Sequence, residues 1–178
     1  MNNIPTPRLE LIAATLAHLC CELERPHSLS TMLGVQVPTS WPPGQYDRDA
    51  MEFFKDQLEK GGVAAVGWYG WYALRKAGSD GPGLLVGSGG YFGPPEDGAL
   101  EVGFSVIPES RRRGYATEIL SALVEHAFSF PGVQLIHARA APDNTASIGV
   151  LVRNGFRPTD STGEASLLKF HRARPEPV

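Results

Sequence analysis

The sequence predicts an α/β (α+β) fold, a mixed sheet of about seven strands flanked by about four helices, ordered β-α-α-β-β-β-α-β-α-β-β. Three observations carry that prediction. Alternating or aromatic-rich apolar runs recur between Gly and Pro clusters, as strands do. Runs with apolar residues at helical spacing lie between them. The length, 178 residues, fits one domain spanning 1–178 with a single sizeable core.

Arg8 to Ile12 alternates as a first strand, and Ala13 to Glu24 reads as a helix stopped by Pro26. Ser28 to Tyr46, rich in Pro, Ser and Gly, is a loop with one helical turn near Leu29 to Leu33. Asp49 to Lys60 places Met51, Phe54 and Leu58 at helical spacing and stops at Gly61-Gly62. Three strands follow, Val66 to Leu74, Leu84 to Phe92 and Ala99 to Ile107, with Asp80 to Gly83 and Gly93 to Pro95 as turns. Thr117 to Phe128 is a helix, Val133 to Ala138 a buried strand, and Asn144 to Asn154 a helix ending at Gly155. Phe156 to Pro158 and Ala165 to His171 complete the sheet, and Arg174 to Val178 reads as a loose tail.

The most informative stretch is Arg111-Arg112-Arg113-Gly114-Tyr115-Ala116, between the strand closed by Pro108 and the helix from Thr117. Small residues at a helix start let an anion approach free N–H groups, and arginines add charge-assisted bonds. Taken alone, the hexapeptide is read equally well as a basic turn before an amphipathic helix. A second stretch follows, Ala141-Pro-Asp-Asn144-Thr-Ala-Ser147-Ile-Gly-Val-Leu151-Val-Arg-Asn-Gly155-Phe156. The first stretch resembles the acyl-coenzyme A pyrophosphate loop of the GNAT superfamily of N-acetyltransferases, and the second resembles that superfamily's second signature. The resemblance is sharp from about Gly98 to Pro158. The start Thr6-Pro-Arg8-Leu-Glu-Leu11 is similar to the branch that acetylates ribosomal-protein N-termini.

The resemblance implies the GNAT fold, with acetyl-coenzyme A as co-substrate and a primary amine as acceptor. It places pantetheine along Phe104, Ser105 and Val106, and pyrophosphate on the loop formed by Arg111, Arg112, Arg113, Gly114, Tyr115, Ala116 and Thr117. Asn144 falls where an Asn side chain commonly bonds pantetheine; Asp143, Asn144 and Thr145 equally suit a helix cap. Ser147 matches a serine of the ribosomal-protein branch, able to bond coenzyme A or bear on the leaving thiol, or else to bond back along its own helix. Two familiar acid/base residues are absent. The tyrosine position on the second-signature helix is Leu151, and the glutamate position before the motif Asn is Arg139. Glu101 is therefore the base candidate, an exposed strand glutamate being the plainer alternative. Alternation sets Glu101, Gly103 and Ser105 on one face, with Leu100, Val102, Phe104 and Val106 on the other. The acceptor pocket is expected from the Ser28–Tyr46 loop and the adjoining strand, with Trp41, Tyr46, Trp68, Tyr69, Trp71 and Tyr72 as candidates and Asp47 and Asp49 to meet a cation.

Composition narrows the partners. A net charge of −3 gives no general pull toward nucleic acid or an anionic membrane, so the arginine cluster answers to one local anionic ligand. Leu11 to Cys21 is the longest apolar run, too short to span a bilayer, and the N-terminus lacks a signal-peptide pattern. Cys20 and Cys21 are adjacent, unsuited to pairing with each other or to holding zinc, and read as apolar thiols in a cytoplasmic protein. The five histidines have no partner spacing and no metal site is expected. The function expected is transfer of acetyl from acetyl-coenzyme A to a protein or peptide N-terminus or a small amine, directly, in a ternary complex. The rival is a non-catalytic acyl-coenzyme A-binding regulatory module. A phosphate-loop nucleotidase is disfavoured, since no Lys-Ser/Thr pair follows the glycine. A homodimer is one assembly the chain admits.

Overall fold

The computed structural model describes residues 3–44, 46–79, 81–159 and 167–176. The turn residue Asp80, the first residues of the strand expected from Ala165, and the last two of the expected tail lie outside these. Among the described residues, eight strands form one sheet: β1 (Asn3–Pro5), β2 (Leu9–Ala13), β3 (Gly70–Arg75), β4 (Leu84–Tyr91), β5 (Ala99–Val106), β6 (Leu135–Ala140), β7 (Arg157–Pro158) and β8 (Leu168–Ala173). Their spatial order is β1-β2-β3-β4-β5-β6-β8-β7. Every neighbouring pair is antiparallel except β5 and β6, which run parallel. The helices are α1 (Leu16–Glu24), α2 (Leu29–Leu33), α3 (Arg48–Gly61), α4 (Tyr115–Phe128) and α5 (Thr145–Arg153).

Boundaries shift from the expected ones for local reasons. The first helix starts at Leu16 because β2 keeps pairing through Ala13, opposite Trp71. Thr15 then caps it, accepting from the His18 N–H while His18 Nδ1 accepts from the Thr15 N–H at 3.1 Å, a capping box with histidine in the usual Glu place. The third strand starts at Gly70, four residues late. A 3₁₀ turn over Gly62–Ala65 and Gly67 at φ +94° keep the chain turning before it. Asp47 caps α3, accepting from the Ala50 N–H at 3.0 Å, and Met51, Phe54 and Leu58 form its buried stripe as the spacing predicts.

Strand alternation divides the core between the two faces of the sheet. On one face α4 buries Ile119, Leu120, Leu123 and Val124 against Trp71, Val86, Val102 and Val106. It seats so close that a Cβ on Gly89 would lie 2.8 Å from both Ile119 and Leu123. On the other face α1, α2 and α3 pack Leu19, Leu29, Met51, Phe54 and Leu58 against Tyr72, Leu74 and Leu85.

Candidate active site

β5 and β6 pair at only three positions, Ala99 with Leu135, Leu100 with Ile136 and Glu101 with His137. Beyond them β6 continues against β8, while Val102 to Val106 of β5 continue against β4, so the parallel strands separate. The carbonyl of Glu101 and the N–H of Ile107 both bond toward the β4 side. Alternation therefore turns the main-chain groups of Val102, Phe104 and Val106 into the splay. The Val106 carbonyl there accepts from Arg111 Nε at 3.1 Å, so this arginine folds back onto the strand.

A helix opens at the end of each strand of the splay. After β5, Arg112 at φ +58° and Gly114 at φ +79° turn the chain into α4. The first bond of that helix joins the Glu118 N–H to the Gly114 carbonyl at 3.1 Å, which leaves the N–H groups of Tyr115, Ala116 and Thr117 pointing out of its start. Arg112 and Arg113 are exposed beside them. After β6, Asn144 caps α5 through Oδ1, which accepts from the Ser147 N–H at 3.1 Å. That cap employs the oxygen and leaves the Nδ2 donors. The Ser147 hydroxyl is half-buried and, among the described residues, does not bond back along its helix.

Arg8 clamps the loop from outside both motifs. Its Nη1 donates to the Arg113 carbonyl at 2.7 Å, its Nε to Glu118 Oε2 at 2.7 Å, and its guanidinium lies 4.8 Å from the centre of the Tyr115 ring. The Arg8 N–H and the Thr6 hydroxyl also donate to Glu118, at 2.8 and 2.5 Å. Burial pushes the Glu118 carboxyl up, but the Thr6 and Arg8 donors and the guanidinium charge outweigh it and hold it below the ordinary 4.5.

Glu101 faces away from the α4 core, as alternation predicts, and is taken by Arg139. The guanidinium grips it two-handed, Nε to Oε1 at 2.8 Å and Nη2 to Oε2 at 2.7 Å, across the closed end of the splay. The carboxylate hydrogen bonds, followed by its charge, raise the guanidinium above its ordinary value. Leu151 is buried at 1% exposure.

The aromatic set read from the sequence as an acceptor pocket does not come together around one cavity. A cleft lies between α3 and strands β4 and β5, walled by Tyr46, Phe54 and Phe92 over a floor of Gly89, Gly90, Gly103 and the Phe104 main chain. Of the six candidate aromatics only Tyr46 lines it. Trp41 and Tyr72 instead turn to the buried Glu22, donating at 2.5 and 2.6 Å, and Tyr46 donates to the same carboxylate at 2.9 Å. Trp71 bonds the Gly67 carbonyl and packs on His126; Trp68 packs at a tilt against Tyr91 and Phe130; Tyr69 packs beside Phe53 and Phe54. Asp47 is spent on its cap.

The acetyltransferase (GNAT) domain model matches residues 8–157, a span that includes the splay and both helix starts. The chain belongs to the GNAT acetyltransferase family. It is an acetyl-coenzyme A-dependent N-acetyltransferase. A relative in Bacillus subtilis strain 168, the uncharacterized N-acetyltransferase YjdG, is 29% identical over 154 residues, covering 86% of this chain and 88% of the relative. Among solved structures, an acetyltransferase from Agrobacterium tumefaciens C58 aligns with TM-score 0.64 at 19% identity, over 98% of this chain and 95% of its own. RimL, a ribosomal L7/L12 α-N-protein acetyltransferase in complex with coenzyme A, aligns with TM-score 0.66 at 17% identity, over 96% and 97%. At those identities the likeness to solved structures is one of fold.

Within this GNAT chain the sequence reading missed Arg8, Glu118, Phe54 and Phe92. Arg8 stood inside the Thr6-Pro-Arg8 start that carried the resemblance, so its signal was present without a partner to give it meaning. Phe54 read only as part of a helical stripe, and Phe92 as the last residue of a strand. Among the described residues no group of three or more His, Cys, Asp or Glu could hold a metal ion. No described helix is long and apolar enough to cross a membrane.

Proposed function

We propose that this acetyltransferase moves acetyl from acetyl-coenzyme A directly to a primary amine, both bound at once, with no covalent enzyme intermediate. The observation that carries the proposal is the splay between β5 and β6, with α4 and α5 opening at its two ends. Pantetheine, rich in amides, would pair with the main chain of Phe104 as an added strand does. Its pyrophosphate would lie on the N–H groups of Tyr115, Ala116 and Thr117, with Arg112 and Arg113 supplying charge and Arg8 holding the loop. Asn144 has Nδ2 to offer a pantetheine carbonyl while its oxygen caps the helix.

The amine nitrogen attacks the thioester carbonyl; the C–N bond forms, the C–S bond breaks, and coenzyme A leaves as thiolate. With an ordinary thiol pKa of about 8.5, the leaving group needs little protonation, so the missing tyrosine at Leu151 is tolerable. The Ser147 hydroxyl is assigned to the coenzyme A sulfur or its neighbouring amide. The amine must also lose a proton. Glu101 is proposed to accept it through water, at the cost of loosening one arm of the Arg139 fork. Cys20 and Cys21 sit on α1, outside both motifs, which supports direct transfer.

The test is purified enzyme with acetyl-coenzyme A and a panel of amines, read by free-thiol release and product mass. Thiol release that requires amine, with acetyl recovered only on the amine, is the expected result. An acetylated enzyme formed without amine sinks direct transfer, and tight cofactor binding with no turnover returns the regulatory-module alternative.

A further inference from the structure

The acceptor cleft has a chemical character of its own. None of the residues lining it is charged. Its walls form a run of rings, Tyr46 to Phe54 at 6.3 Å and Phe54 to Phe92 at 6.4 Å between centroids. Phe92, at 53% exposure, is a large apolar side chain open to solvent at the edge of this wall. The Phe92 ring lies over the floor so closely that a Cβ on Gly103 would be 3.2 Å from it. Gly103, Phe104 and Ser105 belong both to this cleft and to the strand assigned to pantetheine, so whatever enters the cleft meets the thioester end.

The polar atoms nearby limit the occupant further. The Tyr46 hydroxyl spends its proton on Glu22, behind the wall. Glu22 is 6% exposed and takes Trp41, Tyr46 and Tyr72 as donors; among the described residues it has no ion-pair partner. A carboxylate, phosphate or sulfate entering the cleft would find no lining cation, and a second ammonium would find no lining carboxylate. Each would leave water unpaired.

Resting on the transfer reading above, we propose that the acceptor is a primary amine whose adjoining body is an uncharged aromatic or branched aliphatic group. It carries no α-carboxylate and no second cationic centre beside that body. Two sources share this chemistry, the apolar first residue of a polypeptide and a free apolar amine.

Steady-state transfer should be compared for phenylethylamine, isoamylamine, and amidated peptides starting Phe-Gly or Leu-Gly, against spermidine, free phenylalanine and an Asp-Gly peptide. The apolar set should exceed the charged set in kcat/KM by about 10-fold or more, the scale on which apolar pockets discriminate. Activity confined to the apolar peptides, or to the apolar free amines, supports the proposal and identifies the source. Spermidine or free phenylalanine matching the apolar set overturns it. Should no amine react, calorimetric binding of the same panel to the acetyl-coenzyme A complex separates the two failures. Apolar preference in binding keeps the cleft assignment while transfer fails, and no preference overturns both. Phe92→Glu, at an exposed position that spares folding, should shift preference toward spermidine by about 10-fold with acetyl-coenzyme A KM unchanged. An unchanged preference in that variant would likewise overturn the proposal.

Discussion

Two glutamates summarise how differently the halves of this molecule are held together. Glu118, beside the proposed cofactor loop, is gripped by a cation and by donors from the turn before β2, and its carboxyl lies below the ordinary value. Glu22, on the acceptor side, is sealed among neutral donors, and burial, the dominant cause, pushes its carboxyl up against the pull of Tyr72, Trp41 and Tyr46. One half is organised by charge suited to an anionic cofactor. The other is an uncharged, ring-walled space over a buried acid. Cofactor recognition and acceptor recognition should therefore respond to different substitutions.

The largest effect should come where the halves meet. If Glu101 takes the amine proton, Glu101→Gln keeps its shape and lowers kcat by about 10²–10⁴-fold, with acetyl-coenzyme A affinity held within a few-fold. A rise only in the amine KM would make Glu101 an electrostatic attractor. Wild-type kcat would leave solvent as proton acceptor and the Arg139 fork as a brace across the splay.

Next in size is Gly114→Ala. The left-handed φ disfavours any side chain, and the new methyl would sit 3.2 Å from Arg8 Nη2, where pyrophosphate is proposed to lie. Acetyl-coenzyme A should weaken by about 1.4 kcal/mol or more, about 10-fold by calorimetry, with the relative kcat/KM of different amines unchanged. A shift in amine preference would show the halves to be coupled.

The legibility of the two halves follows the same division. The proposed cofactor loop uses main chain, glycine and arginine at fixed offsets within continuous stretches, so Arg111 to Thr117 and Asn144 to Gly155 pointed to the family and to the fold around them. The ring-walled cleft proposed for the acceptor is assembled from Tyr46, Phe54 and Phe92, on three separate segments, and only packing says which ring faces the cavity. Trp41 and Tyr72 looked equally suitable until Glu22 was seen to hold them. Strand order was hidden for the same reason: β8 inserts between β6 and β7, a choice made by long-range pairing. The Arg139 fork was half visible, since Arg139 stood out as a departure while its partner in Glu101 depended on the β5–β6 register.

The two glutamates give a stability test with opposite signs. Glu118 is lowered in the fold, so its contribution is complete above the ordinary 4.5 and is lost as pH falls through its folded value. Glu22 is raised, so its contribution is complete below 4.5 and is lost as pH rises through its folded value. Thermal melts of wild type, Glu118→Gln and Glu22→Gln from about pH 3 to about pH 7 should show this. The deficit of Glu118→Gln should shrink toward acid, and the relative standing of Glu22→Gln should improve toward neutral pH. Parallel curves for the two variants would erase the contrast between the halves.

The smallest and finest effect concerns Asn144. Its Oδ1 already caps α5 on the Ser147 N–H at 3.1 Å, and an aspartate does the same with a charge that suits the helix N-terminus. What Asn144→Asp removes is the Nδ2 donor, and a carboxylate there would face a pantetheine carbonyl, acceptor against acceptor. Stability should therefore hold or rise slightly, by about 0.3–1 kcal/mol at low ionic strength. Acetyl-coenzyme A should weaken by about 1–2 kcal/mol through the lost bond. Asn144→Ala separates the roles again, because it loses the cap as well and should lower Tm while weakening the cofactor. Calorimetry and thermal melts on both variants decide it. Unaltered cofactor affinity in the aspartate variant would reduce Asn144 to a cap, and pantetheine recognition would then rest on the Phe104 main chain alone.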